Sequence, residues 1–213
     1  MGLKAMNTGG KKREPIPAGT HVAVCVGYAD LGTQTETFQG QTKEQRRVMI
    51  FWDIPEERME IDGKSLPKRI SARYTLSLYE KSTLRKMLDA WKGESLTPDE
   101  LTGFDLDNLI NRPAMLQVVH KPNPKKPGDV FVNVNTVLPL FKGIPRPAME
   151  VEPIKYEIEG PTGVFMIPGD DIPRWIRTII SESYEAEKAG WEFDAEADKA
   201  AAQQAKNNPE VPF

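Results

Sequence analysis

The 213-residue chain is 28% charged, with a formal net charge of −3 and a mean hydropathy of −0.49. It can hold one well-filled domain with appendages, or two small ones. No apolar run reaches the ~20 residues a membrane-spanning helix needs, and the single Cys25 excludes disulfide frameworks and cysteine-based zinc sites and suits a reducing cytoplasm.

Residues 1–17, MGLKAMNTGGKKREPIP, are Gly-, Lys- and Pro-rich and predict a flexible N-terminus, disordered or loosely docked. They contain no apolar leader stretch, and Met6 stands where a myristoylation signal wants Ser or Thr. Residues 18–142 read as one β-rich domain. Thr20–Asp30 aligns Val22, Val24, Val26 and Tyr28 on one face of a strand. A polar loop, LGTQTETFQGQTKE, is expected next. Gln45–Ile54 then places Val48, Ile50 and Trp52 on one side and Arg47, Met49 and Phe51 on the other. An Asp62-Gly63 turn leads into a third strand, Lys68–Tyr79. Ile70, Ala72, Tyr74, Leu76 and Leu78 share its inward face, opposite Arg69, Ser71, Arg73, Thr75, Ser77 and Tyr79.

Ser82 then caps a helix whose Leu84, Met87, Leu88 and Trp91 recur at helical spacing until Gly93. A second short helix starts at Thr97-Pro98. Ala114–His120 and Val130–Leu138 alternate as strands around the exposed loop KPNPKKPGD. The order β-β-β-α-β-β within a mainly β chain is that of the OB-fold, a five-stranded Greek-key barrel with a helix between its third and fourth strands. A different small barrel or an α+β sheet is the alternative.

Residues 143–190 form a C-terminal extension. It comprises a Pro-rich connector, a hairpin turning at Gly160-Pro161-Thr162-Gly163, and a helix begun by Asp170-Asp171-Ile172-Pro173. Its Trp175, Ile176, Ile179 and Ile180 predict docking, since such a face left bare is an association liability. Residues 191–213 hold almost nothing to bury and predict a disordered acidic tail. Charge divides along the chain: residues 1–148 carry 22 Lys and Arg against 17 Asp and Glu, and residues 149–213 carry 6 against 14.

No catalytic constellation emerges. The sequence has no phosphate loop and no nucleophile elbow. His21 and His120 stand alone, without metal-ligand neighbours. Asp170-Asp171 is explained as a helix start. Cys25 lies among core valines with no basic neighbour to lower its pKa. The expectation is a non-enzymatic protein without a cofactor or metal.

OB-folds bind across strands 2–3, between the loop joining strands 1 and 2 and the loop joining strands 4 and 5. On this sequence that surface holds Arg69, Arg73 and Tyr79 of strand 3 and Arg47 and Phe51 of strand 2. The first loop adds Phe38, Lys43 and Arg46, the second adds Lys121, Lys125 and Lys126, and Phe131 lies on strand 5. Cations alternating with aromatics suit single-stranded nucleic acid, whose phosphates need neutralising and whose unpaired bases stack on rings. For each there is a plainer explanation: Phe51 and Met49 as core on a second face, Trp52 as core, the arginines and lysines as solvated charge.

Several stretches resemble a family of bacteriophage single-stranded DNA-binding proteins. They are PAGTHVAVCVGYADLGTQ, FQGQTKEQRRVMIFWDIP, YTLSLYEKSTLRKMLDAWKG, GFDLDNLINRPAMLQVVH and IPRWIRTIISESYE, spread over most of residues 15–187. The resemblance implies an OB-type core that coats single strands without sequence preference during phage DNA replication or recombination. It places the protein in the cytoplasm of an infected bacterium and leaves homo-oligomers open. The peptide Glu210-Val211-Pro212-Phe213 resembles the partner-recruiting ending of bacterial single-stranded DNA-binding proteins, which implies phage or host replication and recombination proteins as partners. Ala205–Pro209 departs from the dense acidic run usual there, the nearest acidic cluster being Glu192–Asp198. A protein-binding module on the same fold, with an incidental basic patch, is the competing expectation.

Overall fold

The computed structural model describes residues 14–38, 40–61, 63–198 and 200. Three long strands open the fold as a meander: β1 (Gly19–Phe38), β2 (Gln41–Ile61) and β3 (Lys64–Thr75). Helix α1 (Thr83–Lys92), helix α2 (Pro98–Thr102) and a single 3-10 turn (Leu106–Leu109) follow, then β4 (Pro113–Pro122) and β5 (Val130–Leu138). The extension adds β6 (Ile154–Tyr156), α3 (Arg174–Ser181) and α4 (Tyr184–Ala189). The strands hydrogen-bond in the order β3-β2-β1-β4-β5, all antiparallel, and β6 pairs β1 in parallel.

The mainly β class and the strand-and-helix order are as read from the sequence. Among the described residues no ladder joins β3 to β5, so the sheet is not closed into the expected barrel. Ile16 is buried in the main core, and its carbonyl accepts a hydrogen bond from His120 Nε2 at 2.7 Å. The carbonyl of Pro17 accepts likewise from His21 Nε2 at 2.9 Å. The expected flexible N-terminus is therefore docked at 14–17, and its residues 1–13 lie outside the described residues.

Two strand boundaries also differ from expectation. The loop expected over 31–44 is a two-stranded arm, in which Thr33↔Arg46 through Phe38↔Gln41 are cross-strand partners. Threonines supply the β preference that its polar composition hid, and Gly40, at φ 75°, takes the left-handed turn position. β3 stops at Thr75: after one more bond to β2, from the Leu76 amide to the Arg46 carbonyl, the Ser77 amide turns back onto the Thr75 carbonyl.

The main core lies between the inner face of the sheet and α1. Ile50, Trp52 and Ile54 of β2 meet Leu84, Leu88 and Trp91 of α1, the two indoles being tilted with centroids 5.9 Å apart. Each such side chain contributes roughly 1.5–3 kcal/mol through burial. Gly93, at φ 83°, ends α1 with its amide on the Asp89 carbonyl.

A second core occupies the opposite face of β1 and β2. Val24, Val26, Ala29, Leu31, Met49 and Phe51 are covered there by Ile154, Tyr156, Ile158, Ile172, Ile176 and Ile180 of the extension. β1 changes partners to permit this. It pairs β4 from Gly19 to Val24, bulges between Cys25 and Gly27, and pairs β6 from Gly27 to Ala29. A Cβ at Gly27 would sit 1.8 Å from the Ile154 carbonyl oxygen, at a φ of 138°. Only glycine allows this approach.

The described part of the acidic last third, as far as Asp198, is not a separate solvated tail. Glu150 pairs Arg58 at 2.8 Å and Glu159 pairs Arg46 at 3.4 Å. The Glu185 carboxylate accepts from the Thr33 amide and hydroxyl. The disorder expected from residue 191 is overturned as far as Asp198. Trp191 packs between Phe165 and Phe193, Arg177 lies 4.9 Å from the centre of the Phe193 ring, and Asp198 pairs Arg174 and Arg177. No helix among the described residues is long and apolar enough to cross a membrane.

Candidate nucleic-acid interface

Alternation along β3 aims Arg69, Ser71 and Arg73 away from the main core, opposite Asp53, Phe51 and Met49 of β2. The sequence foresaw this row, but its electrostatics are different. Arg69 holds the buried Asp53 through two hydrogen bonds, at 2.7 and 3.0 Å. Arg47 binds Glu36 and the Thr75 hydroxyl, and Arg73 lies 3.8 Å from the same Glu36. Three arginines thus face two carboxylates, leaving the strand face only weakly cationic. Asp53 orients Arg69, whose side chain still presents about a third of its surface (32%) to solvent.

Phe51 is not a stacking platform. It is 2% exposed, sealed in the second core beneath the extension. Arg46 is also withdrawn: it bridges Asp30 at 2.6 Å and Glu159, serving as a clamp for the extension. Tyr79 is exposed but leaves the row, since it follows the end of β3 and lines a cleft with Arg85, Asp89 and Leu101. Lys43 is exposed on the arm and makes no ion pair among the described residues. Phe38 is at the arm's tip, opposite Gln41, and its side chain lies outside the described residues, as do Glu210, Val211, Pro212 and Phe213.

The β4–β5 connection is the stronger cationic feature. Asn123 organises it: its Oδ1 accepts from the Lys125 amide, its amide donates to the Asp129 carbonyl, and its carbonyl accepts from the Lys126 amide. The turn so formed presents Lys121, Lys125 and Lys126, all exposed and without an ion pair among the described residues. Phe131, half-exposed, is the cross-strand partner of Lys121.

Two adjoining grooves connect these features. One, of about 760 Å³, runs from Phe51 and Arg69 past Glu14 and Pro15 to Val132. The other continues from Glu14 and Pro15 to Lys126 and Phe131. Through the shared Glu14 and Pro15, Arg69 and Lys126 thus lie along one continuous depression. Sequence reasoning missed two participants. Pro15 belonged to a segment read as flexible, and Trp175 of α3, assigned to the docking stripe, is 52% exposed on the wall of the first groove.

Several ionisable groups elsewhere are tied into the fold. Burial pushes the Cys25 thiol up to about 12, and Tyr28 is pushed upward by burial and by its hydrogen bond to Asp107. Lys155 pairs the same Asp107 at 2.6 Å, tying β6 to the 3-10 turn. No group of three or more His, Cys, Asp or Glu among the described residues could hold a metal ion. No protein-family model matches the chain, and no curated protein matches it.

Proposed function

We propose that this chain is a non-catalytic, sequence-independent single-stranded DNA-binding protein of a phage. It works in the cytoplasm of the infected host and protects single strands during replication or recombination. The observation that carries the proposal is the pair of adjoining grooves that align Arg69 with Lys126 and Phe131. A strand laid there meets cations for its phosphates and rings for its bases. The strand order β3-β2-β1-β4-β5, with a helix between β3 and β4, supports reading the sheet as an OB-type core opened on this side. Glu210-Val211-Pro212-Phe213 is assigned, on its resemblance, to recruiting replication or recombination proteins.

Fluorescence anisotropy with labelled oligo-dT tests the proposal. The full chain is expected to bind at low salt and to lose affinity steeply as salt rises. Each of Lys121→Ala, Lys125→Ala and Lys126→Ala should reduce the log–log slope by about 0.7, the counterion release of one single-strand phosphate contact. Absence of binding at low salt, or equal competition by duplex of the same length, would sink the idea. For the tail, a chain lacking residues 210–213 should keep oligo-dT affinity and lose co-purification with host replication proteins. Equal co-purification refutes that role.

A second reading is favoured by one specific observation. Val164, Ile167 and Tyr184 are all more than half exposed around a cavity between the 160–167 turn and α4, a patch suited to a protein partner. Equal and weak binding to single strands, duplex and heparin would make that protein-binding module the better description.

A further inference from the structure

We propose that Trp175 is the base-stacking platform of the groove, so that the C-terminal extension forms one wall of the binding site and is not a mere appendage. This rests on the single-strand reading above and specifies which ring meets a base. The sheet's own ring on this face, Phe51, is sealed in the second core. Trp175 is held one residue from the fully buried Ile176, with Ile180 buried a turn further on, and that anchorage turns the neighbouring indole out of the second core. Arg174 and Arg177, on either side of it, are fixed by Asp198, so α3 is pinned at both its apolar and its polar faces. The outcome is a half-exposed indole on an anchored helix, lining the same groove as Arg69, whereas Lys68 there is drawn in by Glu57 at 3.0 Å. A planar ring flanked by aliphatic walls, with Arg69 at the rim, suits an unpaired base and the phosphate beside it.

The other three indoles make the inference measurable. Trp52 and Trp91 are buried in the main core, and Trp191 is enclosed between Phe165 and Phe193. Quenching of intrinsic fluorescence by oligo-dT would therefore come chiefly from Trp175. The experiment uses the full chain, oligo-dT, and an abasic deoxyribose-phosphate oligomer of equal length. Wild type should bind oligo-dT about tenfold more tightly than the abasic chain, the effect of one stacked base. Trp175→Ala should remove most of that preference, leaving only what Phe131 contributes, with the salt dependence and the urea midpoint unchanged. Trp175→Phe should retain most of the preference and lose the quenching. If Trp175→Ala keeps the full preference for bases, the platform is elsewhere and the proposal is overturned, with single-strand binding intact. If wild type binds dT and abasic chains equally, stacking itself is refuted. If wild type binds neither at low salt, the function proposed above falls as well.

Discussion

The two apolar clusters on either side of β1 and β2 are assembled from different kinds of sequence. The first gathers alternate strand residues of the five-stranded body and the helix that follows β3, all from Ile16 to Val137. The second joins β1 and β2 to residues from Ile154 to Ile180, more than a hundred positions later. The two clusters share a wall: all seven residues from Val48 to Ile54 are buried. An antiparallel pair with one wet face alternates apolar and polar residues, whereas a strand covered on both faces reads as a continuous apolar run. VMIFW at 48–52 is such a run, and its second face required a cover. The extension supplies it, with acidic side chains that complement Arg46 and Arg58 of the body. The division of charge along the sequence is in part this complementarity.

The largest expected effects come from breaking each cluster separately. Trp52→Ala should destabilise by about 3–5 kcal/mol and Ile176→Ala by about 2–5 kcal/mol. Because β1 and β2 wall both clusters, each variant should shift one urea transition without changing its slope. Two transitions for Ile176→Ala, with residues 149–198 cleaved by protease while 18–142 resist, would show that the clusters are independent.

How far the sequence revealed each region follows from the same contrast. Alternation exposed all five strands of the body, and α1 was bounded at its expected ends because Ser82 and Gly93 flank a complete apolar stripe. The arm at 33–46 was missed because its Thr, Gln and Glu residues form a ladder without burying a face, so no hydrophobic period marks it. At the candidate site, residue type and position put Arg69, Lys121 and Lys126 at the surface, where they are exposed. Their energetic ranking was not found, since it depends on Asp53 and Glu36 lying across from the arginines in space. Phe51, expected outward, is buried, and Trp175, expected in the docking stripe, is half exposed, for a related reason. Trp175, Ile176, Ile179 and Ile180 all fit helical spacing, and only the shape of the docking surface selects which of the adjacent residues 175 and 176 turns inward.

A smaller effect separates Arg69 from Arg73, two positions apart on one strand face. Arg69→Ala strands the buried Asp53 carboxylate without its partner. Full burial of such a pair implies about 3–5 kcal/mol, and the partial exposure of Arg69 reduces this to about 2 kcal/mol. Arg73 is nearly half exposed, with only a distant contact to Glu36, so Arg73→Ala should stay within about 0.5 kcal/mol. Thermal melts of the two variants decide this, and equal losses would break the distinction. It governs how binding is tested too, because weakened oligo-dT affinity in an Arg69 variant mixes lost contact with lost fold, whereas Arg73→Ala reports contact alone.

The smallest expected signal is chemical. Cys25 lies in the main cluster, while its neighbours Val24 and Val26 lie in the second, so the thiol reports one side of the shared wall. Burial pushes it up to about 12, which at pH 8 leaves about one molecule in 10⁴ as the reactive thiolate, far fewer than for a free thiol of pKa ~8.5. Alkylation in native buffer should be negligible and become complete in denaturant. Loosening the second cluster with Ile176→Ala should accelerate labelling only as far as it raises the globally unfolded population, because releasing the extension bares Val24 and Val26 and leaves Cys25 against the main core. The rate ratio of variant to wild type should therefore equal the ratio of their unfolding equilibrium constants. Faster labelling than that would mean that the outer cover also holds the inner core shut.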